Sequence, residues 1–379
     1  MISETTYLAA RMIASTLEAH FAGQWETAYP SNSKTQDYLP NAMLIEVIID
    51  VAFWASLRRE EGYPPKISLA LLRPAHSEQP LIFGQKVRLT PHNLVKLSPA
   101  VTKPGVHLGV WYEENDLHIW GSTHDIPELC FVLEVVEPGL LVVKHKHTGG
   151  FGKFLNVAVL KGDQVKIVNE KSIGSVYTPL LASLWGMPLP FRPGESVNVL
   201  VELSASVRSH GKGALVLVVP SGSQKWRESV VQPISYPVIP PYCALTDLMQ
   251  ADQQLRSTPE WQESFLRAID IVGGFTAVDG ATVITRRHEL LAFGAKVARS
   301  AMSDPAEQVM VTEPVYGAEP EIAHPAKIGG TRHLAAAQFV HDQRDSIALV
   351  ASQDGRFTVF LWSGELNMVH AHRIDVLLL

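Results

Sequence analysis

Cysteine is almost missing from this chain of 379 residues: Cys130 and Cys243 are the two, and they stand far apart. That excludes a disulfide framework and a cysteine-built zinc site, and two lone thiols suit a reducing, cytoplasmic setting. A dominant charge of one sign is missing too. With 32 basic and 38 acidic residues the net charge is −6, and no basic stripe marks a nucleic-acid partner. The run Lys144-His-Lys-His147 is too short to alter this and reads as an exposed strand face. Long apolar runs are also absent. The most apolar early stretch, Ala42 to Leu57, is broken by Glu46 and Asp50, so no membrane span is expected. The opening Met1-Ile-Ser-Glu-Thr-Thr-Tyr-Leu8 lacks the basic stretch and apolar core of a secretory signal. No internal repeat or low-complexity tract occurs.

What remains is the composition of a soluble globular protein, 46% hydrophobic and 18% charged, long enough for two or three domains. Helical spacing runs through residues 3–20, with Leu8, Met12, Ile13 and Leu17 on one side. A second helix opens at Pro40-Asn41 and places Leu44, Val47, Ile48, Val51, Trp54 and Ala55 on its core face. From 66 to 235 the period shortens. Runs such as 106–111, 117–120, 131–136, 140–144, 155–160, 164–168, 197–207 and 213–219 read as strands of an antiparallel sheet or sandwich. This half holds no metal-spaced histidines, nucleophile elbow or phosphate loop. The four prolines of 232–241 predict a semi-rigid connector, followed by helices over 245–255 and 259–271. The predicted organisation is N-terminal helices over 1–65, a β-rich region over 66–235, a linker with a helix over 236–262, and a final domain over 263–379. The fold class is α+β or α/β, with a mixed sheet flanked by helices in the final domain.

Two short segments in that domain carry the chemistry. In Gly329-Gly-Thr-Arg-His-Leu-Ala-Ala-Ala337 a glycine pair, a hydroxyl, a guanidinium and an imidazole precede a run of helix formers. Glycines allow close backbone approach and a helix start favours anions, so this reads as a phosphate grip with Thr331 as N-cap. An ordinary helix cap with an exposed arginine and a satisfied histidine is the plainer reading. Some fifty residues earlier, Val278-Asp-Gly-Ala281 contains an Asp-Gly pair that also fits a tight hairpin turn, as does Asp354-Gly355.

In order, Asp279-Gly-Ala281, Leu291-Ala-Phe-Gly-Ala-Lys-Val297, Gly330-Thr-Arg-His-Leu334 and the strand Ser346–Gln353 resemble the diadenylate cyclase domain across about residues 265–365. Some bacterial cyclase domains follow a β-rich sensor region, and residues 66–235 look like one. The resemblance implies a cytoplasmic cyclase that joins two ATP into cyclic di-AMP with release of pyrophosphate. It implies a homo-oligomer, because two sites must face each other, and an N-terminal region that responds to an unidentified small molecule or protein. By the match Asp279 would be the ligand of Mg²⁺ or Mn²⁺ and would help activate the hydroxyl, acting with Arg332 and His333 as the catalytic set. Gly280, Ala281, Val297, Gly330, Thr331, Ser352 and Gln353 would line the ATP. Two positions depart from the family pattern: Leu334 stands where the motif has arginine, and Gln353 where it has an acidic residue. An amide supplies no negative charge for a metal. A weak or inactive nucleotide-binding regulatory module is therefore the alternative.

Overall fold

An i, i+4 ladder of Ala9, Ile13, Leu17, Phe21 and Trp25 buries one side of the first helix, α1 (Leu8–Ala28). Leu8 and Met12, expected on that side, face solvent, 65% and 68% exposed. The ladder starts from a small residue, which a reading by side-chain bulk passes over. The computed structural model describes residues 5–29, 39–103, 105–113, 116–146, 154–169, 199–256, 258–353 and 355–379. They form two α+β units, one over Met1–Val168 and one over Asn169–Leu378. Among the described residues no helix is long and apolar enough to cross a membrane.

In the first unit α2 (Ala42–Ser56) is capped as the sequence predicts, with the Asn41 side chain accepting from the Leu44 amide. Asp50 interrupts its apolar run for a reason. The carboxylate is buried and accepts from the Thr6 and Tyr7 amides at 2.8 and 2.7 Å, tying the start of α1 to α2. Beneath the helices lies one eight-stranded sheet. Its strands are β1 (Ile67–Leu71), β2 (Leu81–Arg88), β3 (His107–Glu113), β4 (Asp116–Thr123), β5 (Val132–Glu137), β6 (Leu140–Lys146), β7 (Phe154–Lys161) and β8 (Gln164–Ile167), with α3 (Pro91–Leu97) after β2. The spatial order is β2-β4-β3-β1-β5-β6-β7-β8, and β1 runs parallel to β3, so the sheet is mixed. The N-terminal helices share a single core with these strands. Lys144 and His145 are buried, contrary to the exposed face expected of 144–147. Lys144 is held by Glu134 at 2.6 Å on the neighbouring strand, and His147 lies outside the described residues.

The second unit opens with α4 (Val199–Ser209) where a strand was expected over 197–207. A short apolar run suggested the strand, but Val199, Leu203 and Val207 recur at i, i+4 and are all buried. Then follow β9 (Ala214–Val219), β10 (Tyr236–Tyr242), α5 (Ala244–Gln250), α6 (Gln253–Arg256), α7 (Pro259–Phe275), β11 (Ala281–Thr285), β12 (Leu290–Ala295), β13 (Val309–Thr312), β14 (Glu321–Ala323), α8 (Pro325–Ile328), α9 (Thr331–Asp342), β15 (Ile347–Ala351), β16 (Phe357–Ser363), β17 (Met368–Arg373) and α10 (Asp375–Leu378). Nine strands form one sheet in the order β10-β12-β11-β9-β15-β16-β17-β13-β14.

Both faces of this sheet are covered. Val216 and Val218 pack toward Leu203, Trp261 and Phe265 of α4 and α7. Leu215, Leu217 and Val219 pack toward Ala336, Phe339 and Val340 of α9. Two boundaries therefore move. β9, predicted inside a sensor region ending at 235, lies at the centre of the second sheet. The 232–241 connector becomes edge strand β10, where prolines cost no ladder bonds on the outer side. The helix expected over 245–255 is two short ones, α5 and α6.

Candidate functional site

Register brings the two motifs together. Ala281 of β11 pairs with Leu215 of β9 and with Ala295 of β12, while Ala214 of β9 pairs with Ala351 of β15. Four neighbouring strands thus present one common end, and the residues just beyond it are Gly213, Asp279-Gly280, Lys296 and Ser352-Gln353. Asp279-Gly280 is not a hairpin turn: it joins the end of α7 to β11.

Asp279 meets a lysine there. The Lys296 ammonium lies 2.5 Å from its carboxylate, on side chains 55% and 85% exposed respectively. That hydrogen bond first, then the charges of Lys296 and Arg332, hold the Asp279 carboxyl below the usual carboxylate range. Arg332, in the first turn of α9, lies against Gly213: a Cβ built on that glycine would stand 3.1 Å from its guanidinium and 3.4 Å from Gln353. Gly213 has a φ of +69°, which glycine adopts without penalty. Gln353 donates to the Lys212 carbonyl at 3.4 Å, and the Ser352 amide donates to Arg356 at the turn into β16. Asp354 lies outside the described residues.

The glycine of Asp-Gly-Ala has a strict structural duty. Gly280 has a φ of +116°, and a Cβ there would stand 2.5 Å from the carbonyl carbon of Gly294. Ala281 is fully buried beneath the strand ends. Val297 is half-buried and forms a bridge with Val230.

The second motif sits differently from expectation. Gly330 occupies the N-cap position and offers no side chain, while Thr331 is the first helical residue and is exposed. His333 turns inward rather than toward solvent. It is buried, its Nε2 lies 3.5 Å from the Thr358 hydroxyl, and its ring meets Phe360 edge-on. It also fills the space beside Gly329, where a Cβ would stand 2.1 Å from Nδ1. Leu334 is exposed.

Sequence reading assigned no role to Lys296, Gly213 or Gly294. The Gly-Ala-Lys run at 294–296 was a visible signal, because a glycine two residues before a cation at a strand end marks a close backbone approach.

Divalent cations such as Mg²⁺ or Mn²⁺ take oxygen donors, carboxylates above all. Here Asp279 is paired to an ammonium, Gln353 is an amide, and no group of three or more His, Cys, Asp or Glu among the described residues is placed to hold a metal. These residues do not fit a metal centre built by the protein alone. Their chemistry suits an anion better: two cationic side chains, Lys296 and Arg332, stand near one carboxylate.

The second unit is thus a mixed sheet covered by helices on both faces, with a polar cluster at one strand end. The first unit carries the family likeness. Residues 34–124 match the family model described as a probable sensor domain, DACNV, the N-terminal sensor region of proteins associated with diadenylate cyclase domains. The matched span runs through α2 to β4, and its strands are the contiguous half-sheet β2-β4-β3-β1. No curated protein matches the chain.

Proposed function

We propose that the chain is a sensor-regulated nucleotide-condensing protein. Its first unit perceives a small-molecule or protein signal, and its second binds ATP and joins two ATP into cyclic di-AMP. The observation that carries this reading is the meeting of Asp279-Gly280-Ala281, Arg332 and Ser352-Gln353 at the shared end of β12, β11, β9 and β15. The sensor-domain match in the first unit supports it independently.

In the reaction the 3′-hydroxyl oxygen of each ATP attacks the α-phosphorus of the other. Two phosphodiester bonds form, two α–β phosphoanhydride bonds break, and two pyrophosphates leave. Such chemistry asks chiefly for alignment and charge stabilisation, and two copies of the site must face each other. Arg332 supplies charge-assisted bonds to phosphate oxygens, and the exposed Thr331 hydroxyl stands beside it on the same turn. Asp279 orients and helps deprotonate the attacking hydroxyl. His333 works from behind as a positioning residue, wedged against Gly329 so that the turn before α9 keeps its shape.

Incubating the protein with ATP, with and without Mg²⁺ or Mn²⁺, and identifying the product tests this. Cyclic di-AMP is expected, formed more steeply than in proportion to protein concentration. Absence of product at all concentrations sinks the cyclase. A second reading, a nucleotide-binding regulatory module without turnover, is favoured by exposed Leu334 and by Gln353 bonded to the Lys212 carbonyl. Calorimetric binding of ATP or cyclic di-AMP without product selects it.

A further inference from the structure

A divalent ion at a nucleotide site is anchored by carboxylate and neutralises phosphate. At Asp279 both tasks already have a side chain. The Lys296 ammonium sits 2.5 Å from the carboxylate, and the Arg332 guanidinium brings a second cation to the same strand end, against Gly213. Two cationic side chains against one carboxylate leave a net charge of +1 (2 − 1), so the cluster repels a free cation and attracts a polyphosphate.

An ordinary surface ion pair is mobile and weak. Here register fixes the backbone that carries both partners. Lys296 directly follows β12, Ala295 pairs with Ala281, the Gly294 backbone abuts Gly280 too closely for a side chain at 280, and the Tyr236 ring lies against Gly294. An ammonium also has three donors. One is engaged by Asp279, which leaves two for phosphate oxygens without breaking the pair.

We infer that Lys296 takes the place of a protein-anchored divalent cation at this site, so that a nucleoside triphosphate binds without a divalent metal. The inference rests on the reading of the site as nucleotide-binding.

Calorimetric titration of ATP into the full chain, in EDTA and in Mg²⁺, tests it with the wild type, Lys296→Met and Lys296→Arg. The wild type is expected to change affinity by less than about threefold between the two buffers, and Lys296→Arg to behave alike. Lys296→Met is expected to lose about tenfold or more in EDTA and to regain most of it with Mg²⁺. A wild type that needs Mg²⁺ by about tenfold, with Lys296→Met adding nothing, overturns the substitution of lysine for metal while leaving the nucleotide site standing. No ATP binding by the wild type in either buffer overturns both.

Discussion

The central strands of the second unit and the edge strand β2 of the first are buried differently, and the difference bears on where each has room for chemistry. In the second unit β9, β11 and β15 are buried at every position, because helices cover both faces. These three strands carry no charged side chain, and Asp279, Lys296, Arg332 and Gln353 collect beyond their common end. In the first unit the main core lies under α1 and α2, and the sheet thins toward β2, whose residues are mostly exposed. β2 belongs to the span that matches a probable sensor domain. A site at strand ends is held by register; a surface along an edge strand is open to contact. The contrast suits a fixed site in one unit and a signal-receiving surface in the other.

The sharpest way to break the contrast is a charge placed in each sheet. Leu217→Asp on β9 is expected to cost more than ~4 kcal/mol and to abolish cooperative unfolding of the second unit, since the site is wholly buried. Ile82→Asp on β2, at a position 60% exposed, should stay within ~1 kcal/mol. Urea titrations of the two variants decide; equal losses would erase the distinction. Glycine gives the next largest difference. Gly280→Ala must accept a left-handed φ and a backbone clash, at a cost of about 2 kcal/mol or more. Gly84→Ala on β2 meets nothing within 4 Å and should be close to neutral in the same measurement.

Two aspartates sharpen the comparison further. Asp50→Ala orphans the Thr6 and Tyr7 amides and should cost about 2 kcal/mol in urea unfolding. Asp279→Asn should leave the unfolding midpoint unmoved yet abolish cyclic di-AMP formation. A destabilised Asp279→Asn would make that residue structural.

The last effect, confined to acid, is with pH. Burial pushes His107 of the first unit down to about 4. It does the same to His370 of the second, and takes His372 well below its ordinary value with help from the His370 charge. All three are neutral when folded and take up protons more readily when unfolded. Their contribution to stability is full above about pH 6.5 and is lost as pH falls toward about 4. The second unit, with the pair bridged by the Thr312 hydroxyl, should lose more than the first. Urea midpoints across that range check the order, and substituting His370 and His372 by Gln should flatten it.

Much of this was legible in the sequence. The fold class, the Asn41 cap of α2, and α7 with Trp261, Phe265, Ala268 and Ile269 buried all follow from periodicity and capping. The order of the site motifs was readable as well. What could not be read was register. Nothing local says that Gly213, well before the first motif, adjoins Arg332, or that Lys296 swings onto Asp279. The element α4 was misjudged for a related reason: a short apolar run has a local preference, and packing against the buried face of the sheet overrode it. His333 took the satisfied, buried place that the plainer reading of its motif allowed.

The prolines of β10 have an effect on assembly. Pro237, Pro240 and Pro241 strip amide donors from one outer strand of the second sheet, and the opposite outer strand, β14, is three residues long. A newcomer seeking to prolong the sheet finds little to bond at either flank. Copies of this unit are steered away from side-by-side growth into ribbons. Contact through other surfaces, the polar strand ends among them, is not opposed by these borders.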